Sequence, residues 1–415
     1  MKRTILIICG GIEAVHGIRR AKEMGLRVVV SDGSPSAPGL AEADDALIAS
    51  TYDVEATVAW AHEYERTKGK IDGVLSIGAD VPLTVASVAH ALNLPGLSLE
   101  AARIATDKLA MKERLAEARI PIPWFAAVDS ADHLERLRAR RELIVKPVDS
   151  RGSRGVVRLT RDVDTVWAFE QAREISPTHR VMAEAYLDGP QVSTESVVVG
   201  KDILTPGFAD RNYELLERYA PYFIENGGDQ PSSLPPAVQD DVRRTVALAA
   251  NALDFNVGTI KGDVVVHKGR AHIIELAPRL SGGYFCTLEI PLNTGVDFVG
   301  VAIKAALGER ISHAEVTPKL QRPVVQRYLF PEPGRIVSIT GVEQARKMPG
   351  VEHLILSRGV GDVTHTTKDT TSRSAMVITT GIDVAEARAH AEAAIKAIKI
   401  TIDARQARET RAKAG

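Results

Sequence analysis

The amino-acid sequence predicts a chain of the α/β and α+β classes: an N-terminal parallel α/β domain, a small lid, a domain built on an antiparallel sheet, and a trailing α+β segment. Three observations predict it. Apolar strand-like runs alternate with helical patterns over residues 4–92. Two short strands then flank a loop rich in glycine and serine, Val148 to Arg154. Beyond them, β-branched runs are separated by tight turns at Gly200-Lys201-Asp202 and around Gly269.

The elements follow in order. Thr4 to Cys9 suits a buried strand, Gly10-Gly11 a turn, Glu13 to Met24 a helix closed by Gly25, and Leu26 to Val30 the next strand, which makes a βαβ unit. Ala46 to Ala49, the helix Val54 to Arg66, the strand Gly73 to Ile77 and the helix Val81 to Leu92 continue the alternation. Such a pattern implies a parallel sheet covered on both faces, in a first domain of residues 1–98. Residues 99–180 hold a helix from Asp107 to Ala118, then Pro121 and Pro123, which bar further helix, and strands at Leu143 to Pro147 and Gly155 to Leu159. Residues 181–310 hold strands at Val192 to Val199, Val257 to His267 and Ala271 to Leu276, with a helix at Asp240 to Leu253. Residues 311–415 hold strands at Pro323 to Phe330 and Ser374 to Thr380 and an alanine-rich amphipathic helix at Val384 to Ile398. The polar tail from Asp403 is expected to fray.

A length of 415 residues allows two to four domains. With 45% hydrophobic and 25% charged residues, the chain has the composition of a folded, water-soluble protein. Lys plus Arg number 52 against 53 Asp plus Glu, so the charge balance points to a small-molecule substrate, with no nucleic acid and no membrane as partner. Cys9 and Cys286 have neither metal-ligand spacing nor the density of a disulfide framework, and read as buried thiols. The apolar run before Gly10 is too short for a signal peptide or a membrane span, which makes the cytoplasm the default compartment.

Three segments carry candidate chemistry. Gly10-Gly11 with Asp32 invites a dinucleotide reading, but Gly10, Gly11 and Gly17 do not supply G-x-G-x-x-G spacing, so a structural turn is favoured. In Val145 to Gly155, the strand-borne Lys146 precedes Ser150, Gly152, Ser153 and Gly155. Glycines let backbone N–H groups approach phosphate oxygens and a lysine adds a point charge, although a solvated hairpin would be written similarly. Finally, Asp263 and Glu275 stand on consecutive strands joined by a turn, where they lie side by side if the pair is antiparallel. Facing carboxylates repel unless a cation intervenes, which suggests Mg²⁺, with two exposed edge carboxylates as the alternative.

The order Lys108, Lys146, the Gly/Ser loop, Glu184-Ala-Tyr-Leu187, Asp263, and Glu275-Leu-Ala-Pro-Arg279-Leu-Ser-Gly-Gly283 resembles the ATP-grasp superfamily over nearly the whole chain. It is most similar to the carboxylate-amine ligase branch, which includes L-amino acid ligases and relatives of carbamoyl phosphate synthetase and glycinamide ribonucleotide synthetase. The resemblance implies an ATP-grasp lid at residues 99–180 and an ATP-grasp catalytic domain at 181–310. It implies ATP and Mg²⁺ as cofactors: Lys108 and Lys146 on the phosphates, Ser150, Gly152, Ser153 and Gly155 in the lid loop, and Glu184, Tyr186 and Leu187 along the hinge strand by adenine. Gln191 falls where relatives place a ribose-binding acid, Asp263 and Glu275 hold metal, and Arg279 steadies the transferring phosphoryl group. Ala277 stands where many relatives carry asparagine, which leaves the number of Mg²⁺ ions open.

The implied reaction activates a carboxylate as an acyl phosphate and couples it to an amine, with ADP and phosphate released. Its partners are a small-molecule acid and an amine, and a homodimer is compatible. Arg211, Arg151 and the turn Ser281-Gly282-Gly283 are candidates for a substrate carboxylate, and Tyr213, Tyr219, Tyr222 and Phe223 for a pocket wall. His16, His267 and His272 read as structural. The rivals are a bicarbonate-dependent ATP-grasp carboxylase, a nicotinamide-dependent oxidoreductase and a non-catalytic nucleotide binder.

Overall fold

In the computed structural model, which describes residues 2–403, the apolar run Thr4–Ile8 lies inside a parallel four-stranded sheet. The strand order is Asp45–Ile48, Arg27–Asp32, Thr4–Ile8, Gly73–Ser76. Ile5 pairs with Val28 on one side and Gly73 on the other. Helices Val15–Glu23, Val54–Thr67 and Pro82–Ala91 accompany the strands, and Ile5 to Ile8 are fully buried. The helix expected from Glu13 begins instead as a 3-10 turn, Ile12–Ala14, which follows Gly11 and has no side-chain cap.

One helix was absent from the sequence reading. Leu99–Thr106, capped by Ser98, precedes Lys108–Glu117, and the extended Asp107 between them caps the second helix through the Ala110 amide. That break makes Lys108 the first residue of its helix.

Contacts gather the chain into two units, each assembled from three stretches. The first contains, of the described residues, 2–123, 188–208 and 234–320. Besides the parallel sheet it holds the antiparallel strands Arg270–Ala277, Thr259–His267 and Gln191–Val199, followed by the strand beginning at Asp202. Helix Pro236–Ala252 covers these strands, packing Val242, Val246 and Ala249 against Ile260, Val264, Ile273 and Leu276. Each fully buried aliphatic side chain contributes about 1.5 to 3 kcal/mol, so this face anchors the strands that carry the candidate carboxylates.

The second unit contains, of the described residues, 124–187, 209–233 and 321–403. Its four-stranded antiparallel sheet runs Phe125–Val128, Val181–Ala185, Leu143–Pro147, Val157–Leu159. Helices Ala131–Arg138 and Thr165–Ile175 pack on it through Leu134, Ala168 and Ala172. Strands Gly228–Gln230, Val324–Leu329, Ala375–Thr380 and Val351–Leu356 form a further antiparallel layer under helix Val384–Ala397. Asp403 pairs with Arg335, while the rest of the tail expected to fray lies outside the described residues. Among the described residues, no helix is long and apolar enough to cross a membrane.

Candidate active site

In the first unit, antiparallel register sets Asp263 directly opposite Glu275, with an irregularity just after Asp263. Side chains two apart on a strand share a face, so Lys261 forms an ion pair with Asp263. Glu275 lies 3.2 Å from Lys108 Nζ at the start of its helix. One turn on, the buried Lys112 donates to the Ile273 carbonyl at 3.0 Å. Burial pushes its amine down to about 7, against the pull of Glu275.

Two facing carboxylates would repel, and here lysines offset them. Two hard oxygen donors side by side would suit a dication such as Mg²⁺; no group of three or more candidate ligands occurs among the described residues. Ala277, opposite Lys261, adds only a buried methyl group.

The strand that carries Glu275 leads into a tied turn. Ser281 N donates to Glu195 Oε1 at 2.6 Å, Gly283 N to Glu13 Oε2 at 3.0 Å, and Gly78 N to the Leu280 carbonyl at 3.2 Å. Gly282 lets Glu13 come close, since an added Cβ would sit 2.6 Å from Glu13 Oε2 and push that carboxylate aside. Arg279 Nη1 donates to the Leu280 carbonyl at 3.2 Å, and its Nε lies 4.0 Å from Asp80 Oδ1. Tyr284 follows with φ of +64° and meets His16 edge-on at 5.8 Å. Gln191 opens its strand opposite Val265 in the same unit.

In the second unit, Lys146 and Glu184 form a buried ion pair on adjacent strands. The carboxylate assigned to the adenine hinge by resemblance is thus engaged with the lysine. The loop after Lys146 is anchored at its base, where Asp149 accepts from Ser176 Oγ at 2.5 Å and from Thr178 Oγ1 at 2.7 Å. Gly152, Ser153 and Gly155 all have positive φ, which glycine adopts without the strain a side chain would bring. Ser150 is buried, and the Gly152 carbonyl accepts from Thr370 Oγ1 at 3.1 Å. Tyr186 lies 4.3 Å from the Arg158 guanidinium and 6.3 Å from Phe223, and Leu187 ends this stretch of the unit.

Arg211 and Arg373 share Glu225, the latter at 3.2 Å. Of the aromatic residues grouped from sequence, Tyr213 and Phe223 meet at 6.3 Å. Tyr219 packs instead on Phe330 and Tyr222 on Trp167. Asp32 accepts from Gly10 N and Ser34 N, each at 2.8 Å, which agrees with a structural turn. His267 bonds Asp188, and His272 Nδ1 donates to the Arg270 carbonyl, 3.0 Å away.

Glu195, Lys112, Lys261, Glu13 and Asp80 were not singled out from sequence. Two had a signal: Lys112 sits four residues after Lys108 on one helix face, and Lys261 two before Asp263 on one strand face. Glu195 is a lone acid in a β-branched run.

The model of the ATP-grasp domain matches residues 105–283, a span that contains every ATP-binding and metal-binding residue expected from the resemblance. The model of the L-amino acid ligase C-terminal domain 2 matches residues 327–403. An uncharacterized protein of Sinorhizobium fredii is 25% identical over 85% of this chain and 73% of its own length. The carbamoyl phosphate synthase large chain of Clostridium botulinum is 23% identical over 72% of this chain, which spans only 27% of that protein. Among solved structures, L-amino acid ligase from Bacillus licheniformis has a TM-score of 0.81 at 20% identity, over 97% of this chain and 99% of that one. Biotin carboxylase from Campylobacter jejuni has a TM-score of 0.71 at 19% identity, over 97% and 92%. At such identities these structures speak to the fold. Residues 105–283 are therefore an ATP-grasp domain and residues 327–403 an L-amino acid ligase C-terminal domain 2.

Proposed function

We propose that this protein is an ADP-forming ligase that activates a small-molecule carboxylate with ATP and couples it to an amine. The observation that carries the reading is the register of Asp263 opposite Glu275 within an ATP-grasp domain. Those two residues would hold Mg²⁺, which when bound neutralises phosphate charge. Lys108 and Lys146, with the amides around Ser150, Gly152, Ser153 and Gly155, bind phosphate. Tyr186, Leu187 and Gln191 contact the nucleoside, and Glu184 holds Lys146 in place.

A substrate carboxylate attacks the γ-phosphorus in line, forming an acyl phosphate and breaking the bond to ADP. Arg279 steadies the charge on the transferring group. An amine then attacks the carbonyl carbon, loses a proton and expels phosphate, leaving an amide. Ser281-Gly282-Gly283 and Arg211 bind the acid. The C-terminal domain match favours an amino acid as that acid, and Glu13 and Asp80 beside the turn suit its ammonium group.

The test pairs each standard L-amino acid with the others and with hydroxylamine, and follows ADP. Labelling the acid with ¹⁸O should deliver one labelled oxygen to phosphate, and hydroxylamine should trap a hydroxamate. AMP formation or unlabelled phosphate would refute the mechanism. ATP hydrolysis stimulated by bicarbonate alone would support the carboxylase reading instead.

A further inference from the structure

Glu195 lies mid-strand in Gln191–Val199 with no exposed surface, yet the proposed reaction does not use it. Burying a carboxyl is costly unless it makes bonds that an apolar residue cannot. Its Oε1 accepts the short bond from Ser281 N, at 2.6 Å, while Oε2 is buried and makes no hydrogen bond. The fold accommodates it closely, since a Cβ on Gly207 would stand 2.8 Å from the Glu195 Cβ.

The groups facing it come from three elements. Lys261 is its partner in register on strand Thr259–His267, Arg279 and Ser281 belong to the turn, and the thiol of Cys286, in the helical turn Phe285–Glu289, donates to the Ser281 carbonyl at 3.1 Å. Ser281 is thus held at both its amide and its carbonyl, and Gly283 is held separately by Glu13. A turn with its backbone fixed at both ends presents its side chain and remaining donors in one arrangement.

We infer that Glu195 is a positioning residue that fixes the Ser281–Gly283 turn through the Ser281 amide, and so presents that turn to the acid substrate. The part concerning substrate rests on the function proposed above; the part concerning the turn does not. Burial raises the carboxyl to about 7, opposed by Ser281, Arg279 and Lys261, so its charge changes near neutrality. An anion accepts from an amide more strongly than a neutral acid does. The turn is therefore held more firmly at pH 8.5 than at pH 6.

Amide hydrogen exchange of the full chain tests this without any substrate. In Glu195→Leu, exchange in the 280–285 peptide, corrected for intrinsic rates, should accelerate at least about tenfold while the 259–267 strand is unaffected. In the parent protein, protection of that peptide should rise from pH 6 to pH 8.5; in Glu195→Gln it should not. Native protection in the Leu variant, or matching pH responses in parent and Gln variant, would overturn the inference; if the Leu variant fails to fold, the Gln comparison decides. With an acid identified by the amino-acid screen, the Leu variant should raise its KM and leave that for ATP within about twofold. Absence of ligase turnover with the exchange result intact would refute the function and leave the positioning role standing.

Discussion

Replacing Glu195 with glutamine should flatten the pH dependence of stability in the first unit. The carboxyl is raised from 4.5 to about 7 in the folded protein, chiefly by burial. As pH rises from 4.5, the unfolded chain releases this proton first, so the folded state loses stability through about pH 7 and no more beyond it. At roughly 1.4 kcal/mol per pH unit, the loss over that span is about 3 to 4 kcal/mol. Glutamine does not ionise, and its carbonyl oxygen still accepts from Ser281, so it imitates the protonated form. Lys112 acts in the opposite sense, because an amine lowered to about 7 adds stability as pH rises from about 7 toward 10.5. It is present in both proteins and drops out of the comparison. The assay is urea unfolding at pH 5 and 8.5, followed by fluorescence of Trp60, which packs on Tyr64 in the first unit. Trp124 and Trp167, in the second unit, are replaced by phenylalanine so that one unit alone reports. The variant should gain about 2 to 3 kcal/mol on the parent between the two pH values, since pH 5 already lies inside the window. Parallel pH dependences would refute the reasoning.

Asp263→Asn and Glu275→Gln should each lower ADP release at least about 100-fold with the fold intact by circular dichroism, because an amide is a poorer ligand for a hard dication. Near-normal turnover at saturating ATP and ordinary Mg²⁺ would remove the metal assignment. Lys146→Met strands the buried Glu184 and should destabilise the second unit by about 3 to 5 kcal/mol, whereas Lys146→Met with Glu184→Leu should recover stability without recovering nucleotide affinity, as measured by unfolding and calorimetry. Recovery of both would make the pair purely structural. Thr370→Val removes one of the bonds to the Gly152 carbonyl, so amides of residues 148–154 should exchange faster in the absence of nucleotide; MgATP should slow them in either protein, and an unchanged rate in both comparisons would count against a closing loop.

The alternation of apolar runs and helices from Thr4 to Leu92 determined the parallel sheet, because hydrophobic periodicity is a local property of the chain and strands Thr4–Ile8, Arg27–Asp32 and Gly73–Ser76 are buried on both faces. The same logic made Asp263 and Glu275 legible: a short turn between two strands fixes which residues face each other. The ordered motifs pointed to the ATP-grasp domain, and all of them lie inside the span that its model matches. Where helices divide was less legible, because the break at Asp107 depends on backbone conformation and a cap rather than on hydrophobic pattern. Only tertiary structure decided the partners of the charged groups. Glu184 meets Lys146, Arg373 joins Arg211 at Glu225, and Glu195 reaches a turn 86 residues away, because ion pairs and buried hydrogen bonds depend on which distant strands meet. In sequence Glu195 is one acid among β-branched neighbours; enclosed by the strands around it, it becomes a buried carboxyl with a single amide to hold.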